Sequence, residues 1–146
     1  MSREQLRRIA RLVELRDRKL QIAQSEAARA ARAADEARQA AEHAEARFDT
    51  TAAAAVVTGD FTRIELEESR EFVVALRRRA EVAARAHEHA VRESVSRRAD
   101  VERAHVAVRQ METLAETVQS ALAEEERRLD RVDTDELASR LPRPRG

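Results

Sequence analysis

A single glycine interrupts a chain that could otherwise form helix from Ser2 to Ala138. Gly59 is the only glycine before the last residue, and no proline precedes Pro142. Glycine and proline are the residues that most disfavour a helix interior. A chain like this therefore forms either one very long helix or two helices that meet near Gly59.

The composition excludes a thick globular core. Hydrophobic residues make up 42% of the 146 residues, but many of them are alanine, and only three phenylalanines supply aromatic surface. Alanine buries little apolar area, whereas a chain rich in Ala, Glu, Arg and Leu is typical of coiled coils and long helices. The 28 basic and 28 acidic residues balance, which together with strong helix formers argues against disorder.

Apolar residues recur every seventh position in the first part of the chain, with companions three residues later. This is the pattern of a coiled-coil seam, the line of residues that faces a partner helix. One arginine, Arg16, interrupts it. The predicted first seam consists of Leu6, Ile9, Val13, Arg16, Leu20, Ala23, Ala27, Ala30, Ala34, Ala37, Ala41, Ala44, Phe48, Thr51 and Ala55.

A second seam begins at Leu66, four residues later than the first seam would continue. It is weak from His87 to Arg97, where Val91 and Val95 predict a local shift of the apolar stripe. The predicted second seam consists of Leu66, Val73, Leu76, Ala80, Ala83, His87, Ala90, Ser94, Arg97, Val101, Ala104, Val108, Met111, Ala115, Val118, Leu122, Leu129 and Val132.

The residues between the two seams favour a break over a continuous helix with a stutter. Residues 56–58 are β-branched, which lowers helix propensity, and Gly59 suits the position that follows a helix end. Either Asp60 or Thr62 can cap a new helix, and Thr62 with Glu65 has the spacing of a capping box. The sequence therefore predicts an all-α fold, in which two long helices form an antiparallel coiled-coil hairpin.

We expect a single hairpin over residues 1–140, with the second helix longer than the first. Its parts are helix one at about 2–56, the tip at about 57–61, helix two at about 62–139, and a disordered basic tail at 141–146. The tail is expected because Pro142 and Pro144 stop the helix. A tight turn would place Phe48 near Phe72, and Leu6 near Val108 to Ala115.

Apolar residues without cover are expected at the open end of this hairpin. Leu122, Leu129 and Val132 continue the second seam beyond the reach of helix one, while Leu12 and Leu15 lie off the first seam. Basic residues dominate near these two leucines, and acidic residues dominate the end of helix two. Uncovered apolar side chains of this kind indicate a binding partner.

No motif for chemistry is present. The chain lacks cysteine, which excludes disulfides, thiolate catalysis and cysteine zinc sites. His87 and His89 are spaced to point to different sides of a helix, whereas a zinc site needs another spacing and more ligands. No phosphate-binding loop or nucleophile elbow occurs. We expect no enzyme activity, cofactor or metal, with His87 on the seam and His43, His89 and His105 at the surface.

Nucleic acid and membrane are poor candidate partners. Arginine and glutamate are interspersed, and the chain lacks exposed aromatics to stack on bases. The longest apolar run, Ala52–Val57, is too short to span a bilayer, and the start MSREQLRRIA lacks the apolar segment of a signal peptide. We expect a cytoplasmic protein that neither binds nucleic acid nor inserts into a membrane.

Three stretches resemble one protein family. They are LRRIARLVELRDRKLQIAQSEAARA, GDFTRIELEESREFVVAL and LAEEERRLDRVDTDELASRL. They resemble the FliJ/YscO family of type III export-apparatus proteins, in which a Leu- and Arg-rich turn leads into an alanine-spaced coiled coil. The matching positions are Gly59, Thr62, Phe72, Leu76, Asp135, Glu136, Leu137, Ala138 and Arg140.

The resemblance implies a stalk similar to the coiled coil of the rotary ATPase γ subunit, at the cytoplasmic side of a membrane-embedded secretion apparatus. Its terminal half would insert into the hexameric export ATPase, and the rest would engage the export gate and escort export chaperones. The implied ATPase contacts are Leu6, Ile9, Leu12, Leu15, Leu122, Leu129 and Val132. The implied gate contacts are Phe61, Phe72 and Leu76.

Two other functions remain open from the sequence. One is a structural coiled-coil spacer or adaptor unrelated to secretion, and the other is an export chaperone. A chaperone is expected to show a broad apolar groove, whereas these seams are narrow. The sequence does not separate flagellar from virulence export.

Overall fold

The structure is a computed structural model that describes residues 3–57 and 62–142. Two helices make up nearly all of these residues: α1 spans Arg3–Val57 and α2 spans Arg63–Arg140. The helices contact each other and α2 is the longer, so the predicted helical hairpin is confirmed and a continuous helix is excluded. Both helices begin and end within one residue of the predicted bounds. The predicted tip around Gly59 and most of the predicted tail lie outside the described residues.

A capping box starts α2. The backbone N–H of Glu65 donates to the Thr62 hydroxyl at 3.3 Å, and the Thr62 N–H donates to the Glu65 carboxylate at 3.3 Å. These two bonds satisfy donors that the first turn of a helix leaves without partners. Of the two predicted caps, Thr62 is therefore used, and Asp60 lies outside the described residues.

The chain divides into two compact units, each containing a segment of both helices. Unit 1 comprises Met1–Gln21 and Arg103–Gly146, and unit 2 comprises Ile22–Glu102. In each unit α1 and α2 segments pack side by side, so the same two-helix arrangement occurs twice along the chain.

The predicted first seam agrees with the burial pattern of α1. All fifteen predicted positions from Leu6 to Ala55 are partly buried, and among the other described side chains up to Ala55 only Ala52 is as well covered. Side chains that recur every seven residues, together with those three positions later, form a stripe on one side of the helix. Apart from Ala52, the remaining side chains from Arg3 to Ala55 are exposed to solvent.

The second seam agrees with the burial pattern of α2 from Val73 to Leu122 but not at its ends. Leu66, Leu129 and Val132 are exposed, because the described part of α1 does not cover them. Among the side chains that the structure describes, the buried ones are Leu76, Ser94, Val108 and Val118.

The predicted shift of the stripe towards Val91 and Val95 is wrong. Both valines are exposed, whereas Ser94 is 7% exposed and Arg97 is partly covered. The heptad position, and not the polarity of the side chain, decides what faces α1 here. His105 is also partly covered and is not a surface residue as predicted.

The pairing of the helices in unit 2 differs from that of a tight turn. Ala30 lines a groove with Glu93, whereas a tight turn would pair it with a residue near His89. In unit 1, Ile9 lines a groove with Val118. Leu6 precedes Ile9, so in an antiparallel pair it lies beside residues later than Val118. The predicted position of Leu6 beside Val108 to Ala115 is therefore wrong.

The first turns of α2 are poorly covered. Residues 62–68 are all exposed, and the first partly covered side chain of α2 is Ser69. The first turns of α2 therefore bury little surface, although Leu66 lines a groove with Ala52 and Ala55 of α1. Phe72 is accordingly exposed, while its neighbour Val73 lies on the seam.

Spin labels test this pairing within unit 2. We expect labels at Ala30→Cys and Glu93→Cys to lie close together in a dilute monomer, since the chain has no native cysteine. The control is a label at Val82→Cys. Residue 82 precedes residue 93 by eleven positions on α2, so the two labelled positions are roughly 16 Å apart along the helix. A shorter distance from Ala30 to residue 82 than to residue 93 would contradict the pairing.

Candidate interaction surfaces

The last part of α2 has no cover among the described residues. Every residue from Glu124 to Pro142 is exposed. Leu129 and Val132, at 52% and 47% exposure, continue the seam on which Val118 is buried. An apolar stripe that would normally face another helix therefore faces solvent in unit 1.

A second exposed apolar site lies on α1 in the same unit. Leu12 and Leu15 are 43% and 48% exposed, and their spacing makes them neighbours on the helix surface. They lie off the seam formed by Leu6, Ile9 and Val13, all of which are partly buried.

The seven predicted ATPase contacts fall into two groups. Leu6, Ile9 and Leu122 are partly buried between the helices, whereas the other four are exposed. All seven belong to unit 1. The first group stabilises the helix pair, and the second group offers free apolar surface. The accessible members are Leu12, Leu15, Leu129 and Val132.

One ion pair joins the two helices near these residues. A guanidinium nitrogen of Arg3 lies 3.8 Å from a carboxylate oxygen of Glu126, and both side chains are mostly exposed. An exposed pair at this distance contributes little stability because water and salt screen it. It does show that the first turn of α1 lies beside Glu126.

Of the two predicted gate contacts that the structure describes, only Phe72 is accessible. Phe61 lies outside the described residues, and Phe72 is exposed. Leu76 is only 3% exposed, so its side chain packs between the helices of unit 2 and is not available to a partner. Near Phe72, an apolar groove is lined by Ala52, Ala55, Leu66, Ser69, Arg70, Val73 and Val74.

Arg97 forms a cluster of ion pairs that the sequence analysis missed in part. Its guanidinium contacts Glu93 at 2.9 Å on the same helix and Glu26 at 2.8 Å on α1, with Asp100 at 3.8 Å. The hydrogen bond to Glu93 and the charge of Glu26 raise the pKa of Arg97. The Glu93 contact follows from four-residue spacing, but the Glu26 contact required the helix pairing.

The described residues offer little for metal binding or membrane insertion. Within residues 3–57 and 62–142, no three His, Asp or Glu side chains are grouped to hold a metal ion. Neither α1 nor α2 contains, in its described part, a stretch apolar enough and long enough to cross a bilayer. The exposed residues of unit 1 are therefore the strongest candidate site.

The comparisons with known proteins show no family for the chain. No family model matches the sequence, and neither a curated protein nor a solved structure matches it.

Proposed function

We propose that the protein is a non-catalytic stalk or adaptor of a type III protein export apparatus. Its exposed end residues would bind the hexameric export ATPase, and the region around Phe72 would contact the export gate or export chaperones. It would act in the cytoplasm, peripheral to the membrane-embedded apparatus. The exposed apolar seam of Leu129 and Val132 is the observation that carries the proposal.

Two features support a role in binding rather than in chemistry. The covered seam is narrow and largely alanine in unit 2, and the grooves among its described residues are open to solvent, which is poorly suited to desolvating reacting groups. In unit 1, exposed leucines on both helices supply the apolar surface that a partner can bury. The identity of the partner rests on the sequence resemblance alone.

A purified export ATPase tests the proposal directly. The variant Leu129→Asp with Val132→Asp should abolish binding and any stimulation of ATP hydrolysis. Burying each large apolar side chain contributes about 1.5–3 kcal/mol, so we expect an affinity loss of at least about a hundredfold. Both positions are exposed, so the helix content measured by circular dichroism should not change.

The matched control is Val91→Asp with Val95→Asp, which changes two exposed valines in unit 2. It should bind the ATPase like the wild type. Phe72→Asp should also keep ATPase binding and should weaken binding of the gate protein. If the wild type does not bind the ATPase, the protein is a spacer or adaptor of another kind. If only the Val91 and Val95 variant loses binding, the assigned surface is wrong.

A further inference from the structure

Unit 1 carries a basic face on α1. Leu12 and Leu15 are its apolar centre, and basic residues three or four positions from one of them occupy the same side of the helix. All of its residues are exposed, the two leucines by about half. It consists of Arg8, Arg11, Leu12, Leu15, Arg18 and Lys19.

The same unit carries an acidic face on α2. Leu129 and Val132 are its apolar centre, with the same three-residue spacing, and carboxylates lie three or four positions away. All of these residues are exposed. The face consists of Glu125, Glu126, Arg128, Leu129, Val132, Asp133, Asp135 and Glu136, so five carboxylates surround the apolar pair and Arg128 is the one basic member.

The two faces cannot cover each other within one chain. The inner side of α1, with Leu6, Ile9 and Val13, is already occupied by α2. Leu12 borders this inner side, Leu15 lies further round the helix, and both are exposed. The pairing of Arg3 with Glu126 places most of the acidic face beyond the first turn of α1. Each face therefore needs a partner from outside the chain.

We propose that the partner is a second copy of this chain, and that two copies form a symmetric dimer. The acidic face of each copy packs on the basic face of the other. Because each copy carries one face of each kind, a two-fold arrangement makes the same contact twice and leaves neither face open. Apolar centre then meets apolar centre, and the flanking charges are opposite in sign.

The size of the contact suits a reversible dimer. Each face extends over twelve residues, or roughly 18 Å of helix. Two such contacts bury on the order of 1,000 Å², at the low end for specific complexes. Opposite charges speed association and select the partner more than they add affinity, so the dimer should dissociate more readily as salt rises.

The dimer does not depend on the proposed export function. Its two apolar centres are, however, the four accessible residues assigned above to the ATPase. A dimer and an ATPase complex would therefore exclude each other. A negative result with the ATPase leaves the dimer unaffected, because the dimer is measured with the purified chain alone.

Charge reversal provides the test. The first variant makes the basic face acidic (Arg11→Glu, Arg18→Glu, Lys19→Glu). The second makes the acidic face basic (Glu125→Arg, Asp133→Arg, Glu136→Arg). Sedimentation velocity at low salt should find the wild type dimeric at micromolar concentration, and each variant alone should dissociate at least about tenfold more readily.

An equimolar mixture of the two variants distinguishes the proposed dimer from other modes of self-association. Each contact in the mixed pair again joins opposite charges, so a one-to-one heterodimer should form with an affinity near that of the wild type. A single chain carrying all six changes should also dimerise with itself. Circular dichroism confirms that the variants keep their helix content.

Three results would overturn the proposal. The first is a wild type that stays monomeric up to roughly 100 µM, which would assign the faces to another partner. The second is a wild-type dimer that neither reversal weakens, which would place the interface elsewhere. The third is a mixture of the two variants that remains monomeric.

Discussion

Replacing Leu76 with alanine is expected to lower the free energy of unfolding by about 2–4 kcal/mol. Leu76 is the most covered side chain among the described residues, at 3% exposure, and the seam around it is short of large side chains. Alanine would leave a cavity between two helices whose seam in unit 2 is largely alanine. Thermal unfolding followed by circular dichroism should therefore begin at a clearly lower temperature.

Val74→Ala is the matched control for this change. Val74 is two residues away on the same helix but is exposed, so its truncation should alter stability by less than about 0.5 kcal/mol. If Leu76→Ala were no more destabilising than Val74→Ala, the packing of unit 2 described above would be incorrect.

The opposite effect is expected when the polar seam residues are made apolar. Ser94→Leu with Arg97→Leu should raise the melting temperature by several degrees, because both side chains are at least partly covered and leucine adds apolar contact with α1. The ion pairs lost with Arg97 are exposed to solvent and contribute little. A calorimetric melting curve measures the change directly.

Glu26→Gln controls for the loss of charge in the same experiment. It removes the attraction between Glu26 and Arg97 without adding apolar surface, so the melting temperature should change little and should fall rather than rise. A fall for the double leucine variant would mean that leucine at position 94 is too large for the alanine-lined side of α1.

The seams could be predicted from the sequence because a heptad repeat depends only on residue spacing. Once the helices were assigned, residues such as Ala27 and Ala34 had to face α2 despite their small size. The same reasoning applied to Ser94, but its polarity led to the prediction that the stripe shifts towards Val91. The structure shows that seven-residue spacing outweighs a single polar residue.

The pairing of the helices could not be predicted in the same way. Alanine side chains are small and alike, so an alanine seam fits several alignments almost equally well, and the sequence contains no large complementary pair to select one. The only other basis for predicting which residues of α1 and α2 lie side by side was the assumption of a tight turn. The tight turn does not give the observed pairing, since Ala30 and Ile9 meet later residues of α2 than it predicts.

The candidate site was predicted in part. The exposure of Leu129 and Val132 followed from the unequal lengths of the helices, and that of Leu12 and Leu15 followed from their position off the seam. The division of the seven residues into buried and accessible groups required the structure. So did the burial of Leu76, since its apolar character suits packing and binding equally.

The capping box at Thr62 and Glu65 has a practical consequence for protein engineering. Because α2 carries its own start signal, its first turn does not depend on the length of the connection from α1. A small folded reporter inserted between residues 58 and 61 would lengthen a connection at modest entropic cost. Fluorescent or affinity tags could thus be placed there without changing any residue of the two faces of unit 1.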